Sequence, residues 1–302
     1  MRYRLLLIAM LAAISLPLSA HEGSAHDDHS ERRAARRQAD SIFRSKFKAD
    51  EQNLHGMLRD YLDHQPSFAM YHDNYFITGV PTDRRIDKYS ADAKFQISVR
   101  QILFRNILPR NNILALTYTQ KSFWDIYRKS SPFAENNYNP SINISRPIVL
   151  DGKMSGAISL GLEHESNGRD SIWSRSRNFF TFSGSWLFTD NVSMQVKFWP
   201  GWPSSDNHDL YDYKGWGLFA LNYCSPGEKL ILSCVVSPRG FFRAFNTQLE
   251  ANIKVWDTAN QFLFIQWHQG YAESLIEYNR YSSMVRVGIC IKPKNRRFIP
   301  IY

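Results

Sequence analysis

From about residue 74 onward the chain alternates. In residues 245–255 the odd positions are Phe, Thr, Leu, Ala, Ile and Val, and the even positions are Asn, Gln, Glu, Asn and Lys. Residues 285–291 place Val, Val, Ile and Ile on one parity. Residues 192–198 set Val, Met, Val and Phe against Ser, Gln and Lys. A period of two with one apolar face marks antiparallel strands whose two sides meet different surroundings. Twelve such segments follow one another, separated by turn residues such as Pro81-Thr82-Asp83, Asn111-Asn112, Asp190-Asn191 and Pro226-Gly227.

Two architectures satisfy this alternation. A sandwich buries the apolar face in a core; a membrane barrel turns it to lipid and keeps the polar face inside. Many segments reach about ten residues, the length of a tilted membrane-crossing strand. The face opposite the apolar one is rich in Ser, Asn, Gln, Lys and Arg. Trp124, Tyr127, Tyr138, Trp186, Trp199, Trp202, Trp267 and Tyr271 gather near segment ends, as interfacial girdles do. An even strand count also permits closure with no free edge. The expected fold is therefore all-β: a 12-stranded antiparallel transmembrane β-barrel with a short N-terminal periplasmic leader. A mean hydropathy of −0.40 does not oppose this, because alternation averages to a soluble-looking value. The absence of any run of 18 apolar residues does exclude a bundle of membrane helices.

Residues 1–20 read as a secretory signal peptide: Arg2 and Arg4, an apolar stretch from Leu5 to Ile14, and a small residue at Ala20. Residues 21–65 read as a polar, irregular periplasmic segment, with a basic stretch from Glu31 to Lys48 for which Ser30 offers a helix cap. Residues 66–302 form the barrel. Removing the signal takes the formal charge from +9 to +7. Export removes most of the case for a nucleic-acid partner, which a basic chain would otherwise invite. Cys224, Cys234 and Cys290 are an odd set and do not make a disulfide framework.

One cluster breaks the pattern. In residues 156–166 the even positions are Gly, Ile, Leu, Leu, His164 and Ser166; in residues 178–188 they are Asn178, Phe, Phe, Gly, Trp and Phe. The even face is the apolar, lipid-directed one. His164, Ser166 and Asn178 thus stand on the outer wall of two neighbouring strands, at one end. Polar groups facing lipid are costly and are functional candidates. The chemistry they permit is nucleophilic hydrolysis: a serine hydroxyl, an imidazole to take its proton, and a third group to orient the imidazole. With a periplasmic N-terminus, the fifth strand ends outside, so these residues and the loop containing Ser130 lie at the extracellular rim.

The run His164-Glu-Ser166-Asn-Gly168-Arg169, followed by Ser174-Arg-Ser176 and Asn178, resembles the outer membrane phospholipase A family. So do Tyr118-Thr-Gln120-Lys-Ser122, Ser130-Ser-Pro-Phe133, Asn137-Tyr138 with Pro140, and Tyr271-Ala-Glu-Ser-Leu-Ile276. The resemblance covers roughly residues 66–292. It implies a phospholipase that cleaves acyl esters of glycerophospholipids at both positions and maintains outer-leaflet lipid composition. By resemblance Ser166 is the nucleophile, His164 the general base, Asn178 the orienting residue and Gly168 the oxyanion donor. The family's calcium dependence assigns Ca2+ to the Ser174 hydroxyl, the Arg169 carbonyl and Ser130 of the partner subunit in a homodimer. Gln120 follows Leu114, Leu116 and Tyr118 on the lipid-type face, where a partner subunit explains it better than lipid does. Asp170-Ser171 departs from the family pattern, which has the acid one place later and then Pro. The segment after the last strand, ending at Tyr302, also departs. The competing expectation is a non-catalytic barrel, a pore or structural protein, with a vestigial site.

Overall fold

The computed structural model describes residues 53–293 except 88, 110, 151–152 and 257–259. The signal segment, most of the leader and Tyr302 lie outside the described residues. The described chain begins with helix α1 over residues 53–63, followed by fourteen strands. These are β1 (Phe68–Met70), β2 (Asn74–Pro81), β3 (Asp92–Arg105), β4 (Ile113–Trp124), β5 (Phe133–Leu150), β6 (Lys153–Ser166) and β7 (Ser176–Leu187). After them come β8 (Val192–Phe198), β9 (Gly201–Pro203), β10 (Gly217–Cys224), β11 (Leu230–Arg239), β12 (Ala244–Lys254), β13 (Gln261–Gly270) and β14 (Ser282–Ile291). A five-residue helix, α2 (Leu210–Lys214), lies between β9 and β10.

Twelve strands close an antiparallel barrel. Each pairs with its neighbour, and β14 returns to β2, from Met284 opposite Pro81 to Ile291 opposite Asn74. The two additional strands, β1 and β9, have three residues each and extend β3 and β7 locally. Burial decides between sandwich and barrel. On β12 the apolar Leu249 and Ile253 are exposed while Glu250 and Asn252 are buried; on β14 Val287 and Ile289 are exposed while Arg286 is buried. The fold is inside-out relative to a sandwich, as a lipid-facing wall requires.

The interior is filled by ion pairs. Arg286 grips Asp92 with two bonds of 2.8 Å and Glu273 with bonds of 2.6 Å and 3.3 Å, and Lys94 reaches Glu273 at 2.9 Å and Gln266 at 2.8 Å. Residues 271–281, between β13 and β14, fold inward. The Leu275 and Ile276 amides donate to Asn137 Oδ1 and Glu135 Oε1, and Tyr278 donates to Asp209. Burial, and then the Asp209 carboxylate, push the Tyr278 phenol up to about 12.

Two expectations change. Residues 53–63 are helical, not irregular. Leu54, Leu58, Tyr61 and Leu62 recur at helical spacing, and Leu62 packs on the inward-facing Ile102, Ile113 and Ala115. Arg105 fixes the end of this helix by donating to the Leu62 and Gln65 carbonyls. Trp199 is no girdle residue: the chain turns inward after Phe198, so the indole is 5% exposed, packs with Phe179 and Tyr211, and donates to the Gly215 carbonyl. Trp124, Trp186 and Trp202 line the outer wall. The three cysteines are free.

Candidate active site on the outer wall

β6 and β7 run antiparallel with His164 directly opposite Asn178 and Ser166 opposite Ser176. The apolar face of β6 continues below in Ile158, Leu160 and Leu162, all exposed on the outer wall. His164 Nδ1 lies 2.9 Å from Asn178 Oδ1. A carboxamide oxygen only accepts, so this bond assigns the proton to Nδ1 and leaves Nε2 as the acceptor. Ser166 is two residues further along the same strand face, roughly 7 Å by the strand rise. No hydrogen bond joins its Oγ to His164 among the described residues; such contacts often tighten only with substrate bound.

The turn between β6 and β7 is built around a buried residue that sequence reasoning passed over. Asn167, 4% exposed, donates to the Trp173 carbonyl at 2.8 Å and accepts the Arg175 amide at 3.0 Å and the Arg169 amide at 3.3 Å. Its neighbour Gly168 has φ +66, and an added Cβ would stand 2.9 Å from the Tyr138 ring. Only glycine fits both the left-handed backbone and that approach. Arg169 ties the turn to the start of β5, donating to the Ala134 carbonyl at 2.6 Å and approaching Glu135 Oε2 at 3.5 Å. The signal for Asn167 was the Asn-Gly pair itself, a turn dipeptide.

Ser130 is exposed on the loop between β4 and β5, with φ +65. This loop and the β6–β7 turn lie at the same end of the barrel, since β5 and β6 are adjacent and antiparallel. Among the described residues, no group of three His, Cys, Asp or Glu side chains forms a metal cluster. The Ser174 hydroxyl and the Arg169 carbonyl oxygen carry no hydrogen bond among those residues. They are uncharged hard oxygen donors, and a hard cation with retained waters suits such a set.

Gln120 stands on the outer wall, as its parity requires. Tyr118 donates to its Oε1 at 3.1 Å, and its Nε2 donates to Ser122 Oγ at 3.1 Å. Between β4 and β7 a groove of about 640 Å³ runs along this wall, lined by Leu116, Tyr118, Ile142, Leu162 and Trp202 and reaching His164 and Asn178.

A closed twelve-stranded barrel with an apolar exterior defines an integral β-barrel protein of the outer membrane. The sequence profile described as Phospholipase A1 matches residues 48–291. A Phospholipase A1 of Salmonella typhimurium is 33% identical over 215 residues, covering 66% of this chain and 69% of that protein. The outer membrane phospholipase A of Escherichia coli superposes with a TM-score of 0.66 at 27% identity, over 74% of this chain and 94% of that one. The Salmonella typhi outer membrane phospholipase, solved as a dimer with bound calcium, gives 0.67 at 27% identity, over 76% and 94%. The chain belongs to the outer membrane phospholipase A family and is a phospholipase of the outer membrane.

Proposed function

We propose that this phospholipase cleaves glycerophospholipid acyl esters at both positions through Ser166, His164 and Asn178. The observation that carries the reading is the His164–Asn178 bond on the lipid-facing wall. The outer-wall groove takes an acyl chain along its apolar lining and brings the ester to His164, two residues from Ser166 on the same strand face. Ser166 Oγ attacks the ester carbonyl while its proton passes to His164 Nε2, the nitrogen Asn178 leaves open. The imidazolium returns that proton to the departing lysophospholipid oxygen, and water releases the fatty acid by the same route. The Gly168 N–H donates to the developing oxyanion. An asparagine orients the imidazole without placing a carboxylate beside hydrocarbon.

The Ser174 hydroxyl, the Arg169 carbonyl and Ser130 of the partner subunit would hold calcium in a homodimer whose interface includes Gln120. Calcium held there would supply positive charge that favours the developing oxyanion. Support comes from the oxygen donors of the β6–β7 turn, which carry no hydrogen bond among the described residues, and from the Salmonella typhi relative's dimer with bound calcium. We read residues 1–20 as the export signal, 21–65 as periplasmic and 66–302 as the barrel, with both termini periplasmic and the site extracellular. The ion-filled interior speaks against an open pore.

The test is hydrolysis of dispersed phospholipid by wild type and Ser166→Ala, with calcium and with a chelator. Ser166→Ala should keep a heat-modifiable barrel and lose turnover, and chelation should stop the wild type. Full activity in Ser166→Ala would overturn the assignment.

A further inference from the structure

The ladder between β5 and β6 has a gap beside the proposed base. Tyr138 pairs with Ser166 and Ser141 with Glu163, but Asn139 and Pro140, paired with β4 on their other side, make no ladder pair with β6. By register Pro140 lies opposite His164. Proline has no N–H, so the strand bond that an ordinary residue would give the His164 carbonyl cannot form. An orphaned strand carbonyl beside hydrocarbon is costly. The side chain of Asn139 supplies the missing donor: its Nδ2 donates to the His164 carbonyl at 2.9 Å. Asn139 belongs to the inward-facing parity of β5 and lines the polar interior together with Glu163 and Glu165.

We infer that Asn139 is a positioning residue, holding the His164 backbone in register from inside the barrel where Pro140 withdraws the strand bond. The geometry also accounts for the close His164–Asn178 contact. The His164 carbonyl is directed toward β5, so on the β7 side His164 and Asn178 form a pair without ladder bonds. Such pairs bring their Cα atoms to about 4.5 Å and their side chains closer together than bonded pairs do. Losing the Asn139 bond frees the peptide of His164 and loosens the imidazole from Asn178. The role rests on His164 acting as the base, and the experiment separates the two claims.

Asn139→Ala should lower kcat about tenfold while KM stays within about twofold, because substrate binding is untouched. Pro140→Ala returns an N–H to the strand, so the double variant Asn139→Ala/Pro140→Ala should recover most of the lost kcat. A readout independent of turnover is the His164 Nδ1 proton resonance in the Ser166→Ala background. It should broaden in Asn139→Ala and sharpen again in the double variant. Unchanged kcat and an unchanged resonance in Asn139→Ala would overturn the role, as would a loss that Pro140→Ala fails to restore. If Ser166→Ala retained hydrolysis, the catalytic reading would fall, and the resonance would still decide whether Asn139 holds His164.

Discussion

His164 Nδ1 and Asn178 Oδ1 meet at 2.9 Å across a directly opposed pair of β6 and β7, on the wall that faces lipid. The bond fixes which imidazole nitrogen is free. Asn178→Ala removes the acceptor and lets the ring adopt the unproductive tautomer. A kcat loss of about 10- to 100-fold is expected, roughly 1.4 to 2.7 kcal/mol of transition-state stabilisation, with KM little changed. Steady-state kinetics on mixed micelles measures it; equal kcat in the variant would remove Asn178 from the mechanism.

Gly168 combines φ +66 with a Cβ position 2.9 Å from the Tyr138 ring. Gly168→Ala should displace the turn and its amide, cutting kcat about 100-fold or more, the scale of a lost oxyanion donor. The barrel should fold as before, because the turn lies outside the strand ladder. A Gly168→Ala enzyme with normal turnover would place the oxyanion donor elsewhere.

Calcium binding through uncharged oxygens is weak per ligand, so each ligand counts. Ser174→Ala should raise the calcium concentration for half-maximal activity about tenfold or more, a loss of about 1.4 kcal/mol. Chelation should stop turnover and leave heat-modifiability on gels intact. A half-saturation point shared by Ser174→Ala and wild type would exclude Ser174 as a ligand.

Glu273 couples the inward-folded loop to β3 and β14 through Arg286 and Lys94. Burial raises its pKa, but the two cations outweigh it and hold the carboxyl well below the ordinary value of 4.5. A depressed pKa stabilises the fold fully above the unfolded value, and that contribution is lost as pH falls toward the folded one. The urea midpoint in detergent should therefore hold from about pH 7 to pH 5 and drop below about pH 4.5. Glu273→Gln should start lower at neutral pH and lose less on acidification. An equal acid loss in both proteins would show that other carboxylates carry it.

The barrel was legible because lipid enforces a strict period of two, and Leu249, Ile253, Val287 and Ile289 obey it. The outward placement of His164, Ser166, Asn178 and Gln120 followed from the same parity. Trp199 was misplaced because parity ends where the strand ends, and the chain turns inward after Phe198. The short helix before β1 is hard to see in the sequence because its few apolar residues sit among charges and serve one end of the barrel. The Asn167-Gly168 pair marks a turn in the sequence, but what Asn167 and Asn139 bond to was not legible. Their roles are bonds to backbone groups, and those depend on where a turn closes and where a proline interrupts a ladder.

The most direct measurement is covalent trapping of the nucleophile. An acyl-mimicking sulfonyl fluoride, incubated with the calcium-loaded enzyme in detergent and followed by peptide mass spectrometry, should modify Ser166 alone and abolish hydrolysis in proportion. Labelling should vanish in Ser166→Ala and slow by about 100-fold or more in His164→Ala, since the hydroxyl is then unactivated. Stoichiometric modification at another serine with loss of activity, or rapid labelling of Ser166 in His164→Ala, would contradict a Ser166–His164 mechanism.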